Sequence, residues 1–143
     1  MREDEVWLAA SKYVVIPFKS CGRDMNEGLD CYGLLLCVAK DLGITFADYL
    51  YEPGWEKKGH NYFIENYYKQ FRQITYNERR AGDIVLFTNV EGVACHAGLL
   101  LSRSLFIHAT RAVGVAILRL TDQPWVRKIY SYYRLKNEDH NRK

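Results

Sequence analysis

The chain has 143 residues, 48% hydrophobic and 26% charged, with a net charge of +3 at neutral pH. That length suits one domain over 1–143, with 136–143 as a polar tail, and buries about two-thirds of the unfolded surface. The small, dispersed positive excess excludes a basic arm for nucleic acid, and no apolar run approaches the roughly 20 residues that cross a bilayer.

Met1 to Glu5 is acidic and leads into a short amphipathic segment, which is not the pattern of a signal peptide. Val6, Leu8, Ala9, Ala10 and Tyr13 recur at near-helical spacing and predict a helix over 3–15, ended by Pro17. Gly22, Asn26 and Gly28 make 18–30 a loop. Asp30 then stands as an N-cap for a helix running to about Leu42, with Gly43 as its stop and Leu34, Leu35, Val38 and Leu42 as its buried stripe. Residues 44–81 are hard to read. Pro53-Gly54 signals a turn, and Tyr62 to Phe71 is consistent with a helix carrying Tyr62, Phe63, Tyr67 and Phe71. From Gly82 the pattern changes to strands at 83–87, 95–101, 105–109, 113–118 and 128–135. Helices followed by adjacent strands predict an α+β fold with an antiparallel sheet.

Cys31 opens the second helix, where the positive end of the helix dipole favours a thiolate, as a neighbouring imidazole also would. Two histidines follow on strands. On the first, His96, Gly98 and Leu100 share one face, while Cys95, Ala97 and Leu99 share the other. Gly98 beside His96 leaves room for a helix end to approach. On the next strand, Phe106 and His108 share a face, so a hairpin sets the two imidazoles side by side. A thiol, a base and an orienting third group form the layout of thiol catalysis. The four cysteines (Cys21, Cys31, Cys37, Cys95) are few for a disulfide framework, contain no CxxC pair and read as free thiols in a reducing compartment. Cys37 and Cys95 read as core. Cys31, His96 and His108 supply only three metal ligands with no acidic base beside them, so a zinc site is rejected.

Tyr13 to Phe18, Cys21-Gly22-Arg23 and Leu29-Asp30-Cys31-Tyr32-Gly33-Leu34 together resemble the N-terminal signature of the NlpC/P60 family of papain-like cysteine peptidases. Ala81 to Phe87 is similar to the family's Gly-Asp-hydrophobic strand, His96-Ala97-Gly98-Leu99 to its base motif, and Phe106-Ile107-His108-Ala109 to its third-residue motif. The likeness extends over about residues 5–135. The aromatic after the cysteine, the Gly-Arg before it, and Thr110 to Val115 resemble the bacteriophage tail subgroup.

The resemblance implies a papain-like fold and hydrolysis of peptide bonds in bacterial peptidoglycan stem peptides, commonly between γ-D-glutamyl and a diamino acid, with no metal or cofactor. It implies Cys31 as nucleophile, His96 as general base and His108 as the group that orients His96. The backbone N–H of Cys31 is a natural oxyanion donor. Partners expected are stem peptides and phage tail proteins, in a virion tail or in the cytoplasm before delivery to the wall. Two positions depart from the family pattern. Phe18 replaces a tyrosine whose hydroxyl reaches the site, and Cys21 replaces a polar amide or imidazole. Losing one oxyanion-side donor costs about 10²–10³ in rate. Tyr13 and Tyr32 are candidates to compensate.

Arg23 and Arg111 are candidates to bind substrate carboxylates. Trp55, Tyr62 and Trp125 are groove candidates set against ordinary packing, and His60 and His140 read as solvated. Two rival readings keep the same chain order: an amidase or acyltransferase on another acyl substrate, and a weakly active structural tail protein.

Overall fold

The computed structural model describes residues 2–48, 69–89 and 92–136. Helix α1 spans Glu3–Ser11, with Glu3, Asp4 and Glu5 at the positive end of its dipole. It stops short of the predicted limit because the chain turns at Val15, which has φ 68. Val15 and Ile16 then bond the backbone of Val115, with Val15 N–H donating to Val115 O at 2.9 Å and Val115 N–H to Ile16 O at 2.9 Å. Gly114, at φ +81, permits this approach, since a Cβ there would lie 2.5 Å from Ile16 O.

The predicted loop holds a short antiparallel ribbon, β1 (Arg23–Asp24) with β2 (Gly28–Leu29). It delivers the chain to helix α2, Cys31–Asp41. Asp30 caps this helix as expected: its carboxylate accepts the Gly33 N–H at 2.7 Å. Gly43 leaves the helix at φ 79. Leu34, Leu35 and Val38 are buried, and Leu42 packs half-buried against the same core. Burying each such side chain contributes about 1.5–3 kcal/mol.

Six strands form one antiparallel sheet. They are β3 (Phe71–Ile74), β4 (Ile84–Thr88), β5 (Ala94–Leu100), β6 (Leu105–Thr110), β7 (Gly114–Arg119) and β8 (Ile129–Leu135), in the order β3-β8-β4-β5-β6-β7. Five lie within a residue of their predicted bounds. Edge strand β3 was not expected. Phe71, the predicted end of a helix, opens a strand paired with Leu135 and packs edge-on against Phe46, ring centroids 5.0 Å apart. The rest of that predicted helix (62–68), the Pro53-Gly54 turn, Trp55, His60 and His140 lie outside the described residues.

The two sheet faces have different neighbours. Ala97, Leu99, Ile107 and Ala109 share one core with α2. Val85, Phe87, Leu100, Phe106 and Tyr132 form a second core on the opposite face, and Trp125, in a 3₁₀ turn at Trp125–Arg127, packs against it. Gly98 belongs to this second face: an added Cβ would meet the Phe106 ring at 2.9 Å. The space it leaves is taken by that ring and not, as the sequence suggested, by a helix end.

Asp83 of the Gly-Asp-hydrophobic segment is fully buried and pairs in two bonds with buried Arg134 at 2.9 Å each, joining β4 to β8. Arg134 also donates to Glu78 O at 2.8 Å, and Asp83 accepts the Arg80 N–H at 2.9 Å. Removing one partner strands a buried charge. Asp83→Ala should therefore cost about 3–5 kcal/mol, read as a lower urea midpoint, while an unchanged midpoint would show that water solvates Arg134.

Candidate active site

Three elements meet around a cavity of roughly 320 Å³ whose walls include Phe18, Cys31, Cys95, His96, Arg111, Trp125 and Lys128. Cys31 comes from the first turn of α2. His96 comes from β5, and Lys128 directly precedes β8. Close packing under the cysteine depends on glycine: a Cβ on Gly33 would lie 1.9 Å from Gly22 O, so the helix start and the preceding loop touch backbone to backbone.

His96 and His108 are joined as the hairpin predicts, with His96 Nε2 and His108 Nδ1 2.9 Å apart. When His96 donates its Nε2–H here, its Nδ1 keeps a lone pair, the state required of a base. Trp125 holds the pair. Its ring lies 5.1 Å from the His96 ring at 33° and 4.7 Å from the His108 ring at 85°. Phe87 backs His96 at 5.6 Å, and Phe106 backs His108 at 4.8 Å.

Burial rather than charge sets the protonation states. It holds His96 well below the ordinary imidazole range, helped by His108 and by the positive charge of Lys128. It brings buried His108 down to about 4. Cys31 is pushed up, first by burial and then by the Asp30 carboxylate, although the Ala97 and Tyr32 N–H groups bond the sulfur and oppose the rise. This corrects the expectation of a thiol activated at rest. The helix end is present, but burial outweighs it and holds the thiol above its ordinary range. Among the described residues no hydrogen bond joins Cys31 to His96. The sulfur sits on the Ala97 face of β5 and His96 on the other, so they share a cavity rather than a bond. At rest the site holds a neutral thiol and two neutral imidazoles.

The remaining expected site residues divide. Arg111 lines the cavity, its guanidinium carbon 4.8 Å from the Phe18 ring centroid. Arg23 does not serve the cavity. It bonds Asp30 at 2.9 Å and Asp48 through Nε and a terminal nitrogen at 3.0–3.2 Å, which commits the guanidinium to the helix start. The Tyr13 hydroxyl donates to Asp41 at 2.5 Å, at the end of α2 remote from Cys31. The Tyr32 hydroxyl donates to Ala47 O and accepts from Gln70 Nε2 at 2.9 Å. Neither phenol replaces the hydroxyl missing at Phe18. Cys95, read as core, is half-buried in the cavity wall, and Cys37 is half-buried with its thiol against Arg23 O; none of the four cysteines forms a disulfide. Trp125, weighed as a groove residue, lies against the histidines, and Lys128 carried no sequence signal. Both reach the site because β8 pairs with β4, a long-range register that local spacing does not encode.

Two measurements follow from these states. Both imidazoles are held below their unfolded value, so between about pH 6.5 and 4 the unfolded chain binds protons that the folded chain refuses. Stability should be whole above pH 6.5 and fall towards pH 4, His108 alone accounting for up to about 3 kcal/mol. Denaturant titrations across that range check this, and a flat profile would contradict it. Alkylation of Cys31, followed by peptide mass spectrometry, should be slower at pH 7 in the folded than in the unfolded protein. Fast labelling at pH 6 would instead reveal a resting thiolate.

Comparison with known proteins agrees with this architecture. The model of the NlpC/P60 family matches residues 16–134. The Gamma-DL-glutamyl hydrolase of Bacillus subtilis strain 168 is 29% identical over 131 residues, covering 90% of this chain but only 28% of that protein. A crystal structure described as similar to a lipoprotein of the NLP/P60 family, from Staphylococcus aureus Mu50, superposes with a TM-score of 0.69 at 21% identity, over 94% of this chain and 42% of the other. The NlpC/p60 domain of the peptidoglycan hydrolase SagA superposes with a TM-score of 0.68 at 17% identity, over 94% of this chain and all of that domain. The chain thus spans well under half of the curated relative, and it belongs to the NlpC/P60 family.

Proposed function

We propose that the protein is a cysteine endopeptidase that hydrolyses a γ-D-glutamyl–diamino acid bond in peptidoglycan stem peptides. The observation that carries this reading is the His96–His108 bond at 2.9 Å in the wall of the cavity that Cys31 also lines. The name of the Bacillus relative, a γ-glutamyl hydrolase, supports the bond type, and that of SagA, a peptidoglycan hydrolase, supports the polymer.

The resting state dictates how the chemistry runs. A neutral thiol is a weak nucleophile, so its proton must pass to His96 Nδ1 as the sulfur attacks the scissile carbonyl. The first-turn amide of Cys31 is directed at the forming oxyanion. His108 accepts the His96 Nε2–H bond and keeps the imidazolium in place. His96 then gives the proton to the departing amine, leaving a thioester on Cys31. Water, deprotonated by the same imidazole, attacks this thioester; the C–S bond breaks, the carboxylic acid product leaves, and the sulfur recovers its proton from His96.

A tail-associated setting, opening the wall from a phage particle, rests on the sequence resemblance around Cys31 and at 110–115. Mass spectrometry of purified particles tests it.

Incubation of purified muropeptides with the wild type and with Cys31→Ala tests the peptidase reading. New fragments from one stem-peptide bond, absent with the variant, are the expected result. His96→Ala should lower kcat by at least about 10³-fold, and His108→Ala by less. No cleavage of any wall chemistry by the folded wild type would overturn the reading. Because His96 resists protonation, kcat/KM should keep its plateau below pH 6.5.

A further inference from the structure

The cavity carries a charge that the chemistry above does not use. Lys128 lies in its wall, half-buried, with its backbone pinned: the carbonyl accepts the Thr88 N–H at 2.8 Å, and the amide donates to Trp125 O at 2.9 Å. Its ammonium stands 5.1 Å from the centroid of the Trp125 ring, which itself lies against His96. Among the described residues no carboxylate pairs with it. The cavity's own acid, Asp30, is committed to Gly33, Cys21 and Arg23.

A fixed cation beside a general base is adverse, since it opposes the imidazolium that His96 must become. Such a placement is useful when the substrate brings the compensating anion. A γ-linked glutamyl residue does so: its α-carboxylate lies four carbon–carbon bonds from the scissile carbonyl, about 5 Å when extended. An ion pair formed there would seat the scissile bond and remove the charge that opposes proton transfer to His96.

We propose that Lys128 is a specificity residue that receives the free α-carboxylate of the γ-glutamyl substrate, so that the enzyme selects glutamate over its α-amide at this position. This rests on the γ-glutamyl peptidase reading above. Walls whose stem glutamate is amidated would then be poor substrates.

The test compares two synthetic peptides, L-alanyl-γ-D-glutamyl-diamino acid and its α-amide, with wild type, Lys128→Gln and Lys128→Arg. The wild type should favour the acid in kcat/KM by about 10- to 100-fold, the range of one charge-assisted bond. Lys128→Gln should bring the ratio near one by losing activity on the acid alone, and Lys128→Arg should retain most of the preference. Equal cleavage of both peptides by the wild type, or an equal loss on both in Lys128→Gln, overturns the inference and leaves the peptidase reading standing. Calorimetry with Cys31→Ala separates the two ideas. Tighter binding of the acid than the amide, abolished by adding Lys128→Gln, supports the Lys128 site even if the wild type cleaves neither peptide. Equal binding of the two, or binding of neither, overturns it.

Discussion

The carboxylate of Asp30 is the point on which the site hangs. It accepts the Gly33 N–H at 2.7 Å, the Cys21 N–H at 3.0 Å and a guanidinium hydrogen of Arg23 at 2.9 Å. One side chain therefore starts helix α2, ties down the loop before it and recruits a cation that also holds Asp48. Cys21 has φ 58, and this strained residue is held by that bond. Cys31 follows the cap directly, so its position on the sheet is decided by the cap. Arg23, which looked like a substrate ligand, is thereby used for structure, and the same carboxylate disfavours a thiolate next door.

The second constraint is dryness. An aromatic shell of Phe87, Phe106 and Trp125 surrounds the two histidines, and Cys31 is buried in the core shared by α2 and the sheet. Desolvation outweighs the helix dipole, whose worth near a helix end is typically below about 1 kcal/mol. Every reacting group is consequently neutral at rest. Charge has to be generated during the reaction, in a place where donors and dipoles act strongly because water is scarce. Lys128 is a half-buried cation at the edge of that shell and shares the cavity wall with Arg111, which gives its charge leverage on whatever enters.

The two sheet faces explain how the layout is assembled. Alternation along β5 sends Ala97 and Leu99 towards α2, and Gly98 and Leu100 towards the second core. The nucleophile comes to one face and the histidine pair belongs to the other. They meet in the cavity that Cys31 and His96 both line. Gly98 serves the second face by admitting the Phe106 ring, which in turn backs His108.

Much of this was legible in the chain. The Asp30 cap, the extent of α2, five of the six main strands and the pairing of His96 with His108 follow from local rules, because caps, side-chain alternation and hairpins involve residues near one another in sequence. Cys31, His96 and His108 stood out from the helix start and the strand faces, and the resemblance gave them their expected roles. Tertiary structure alone decided three other matters. Phe71 became a strand because Leu135, far along the chain, offered it a partner. Trp125 and Lys128 reached the site through the β4–β8 register, which spans some forty residues. The state of the Cys31 thiol was settled by how much water the folded chain excludes, and burial belongs to the packed whole rather than to any motif.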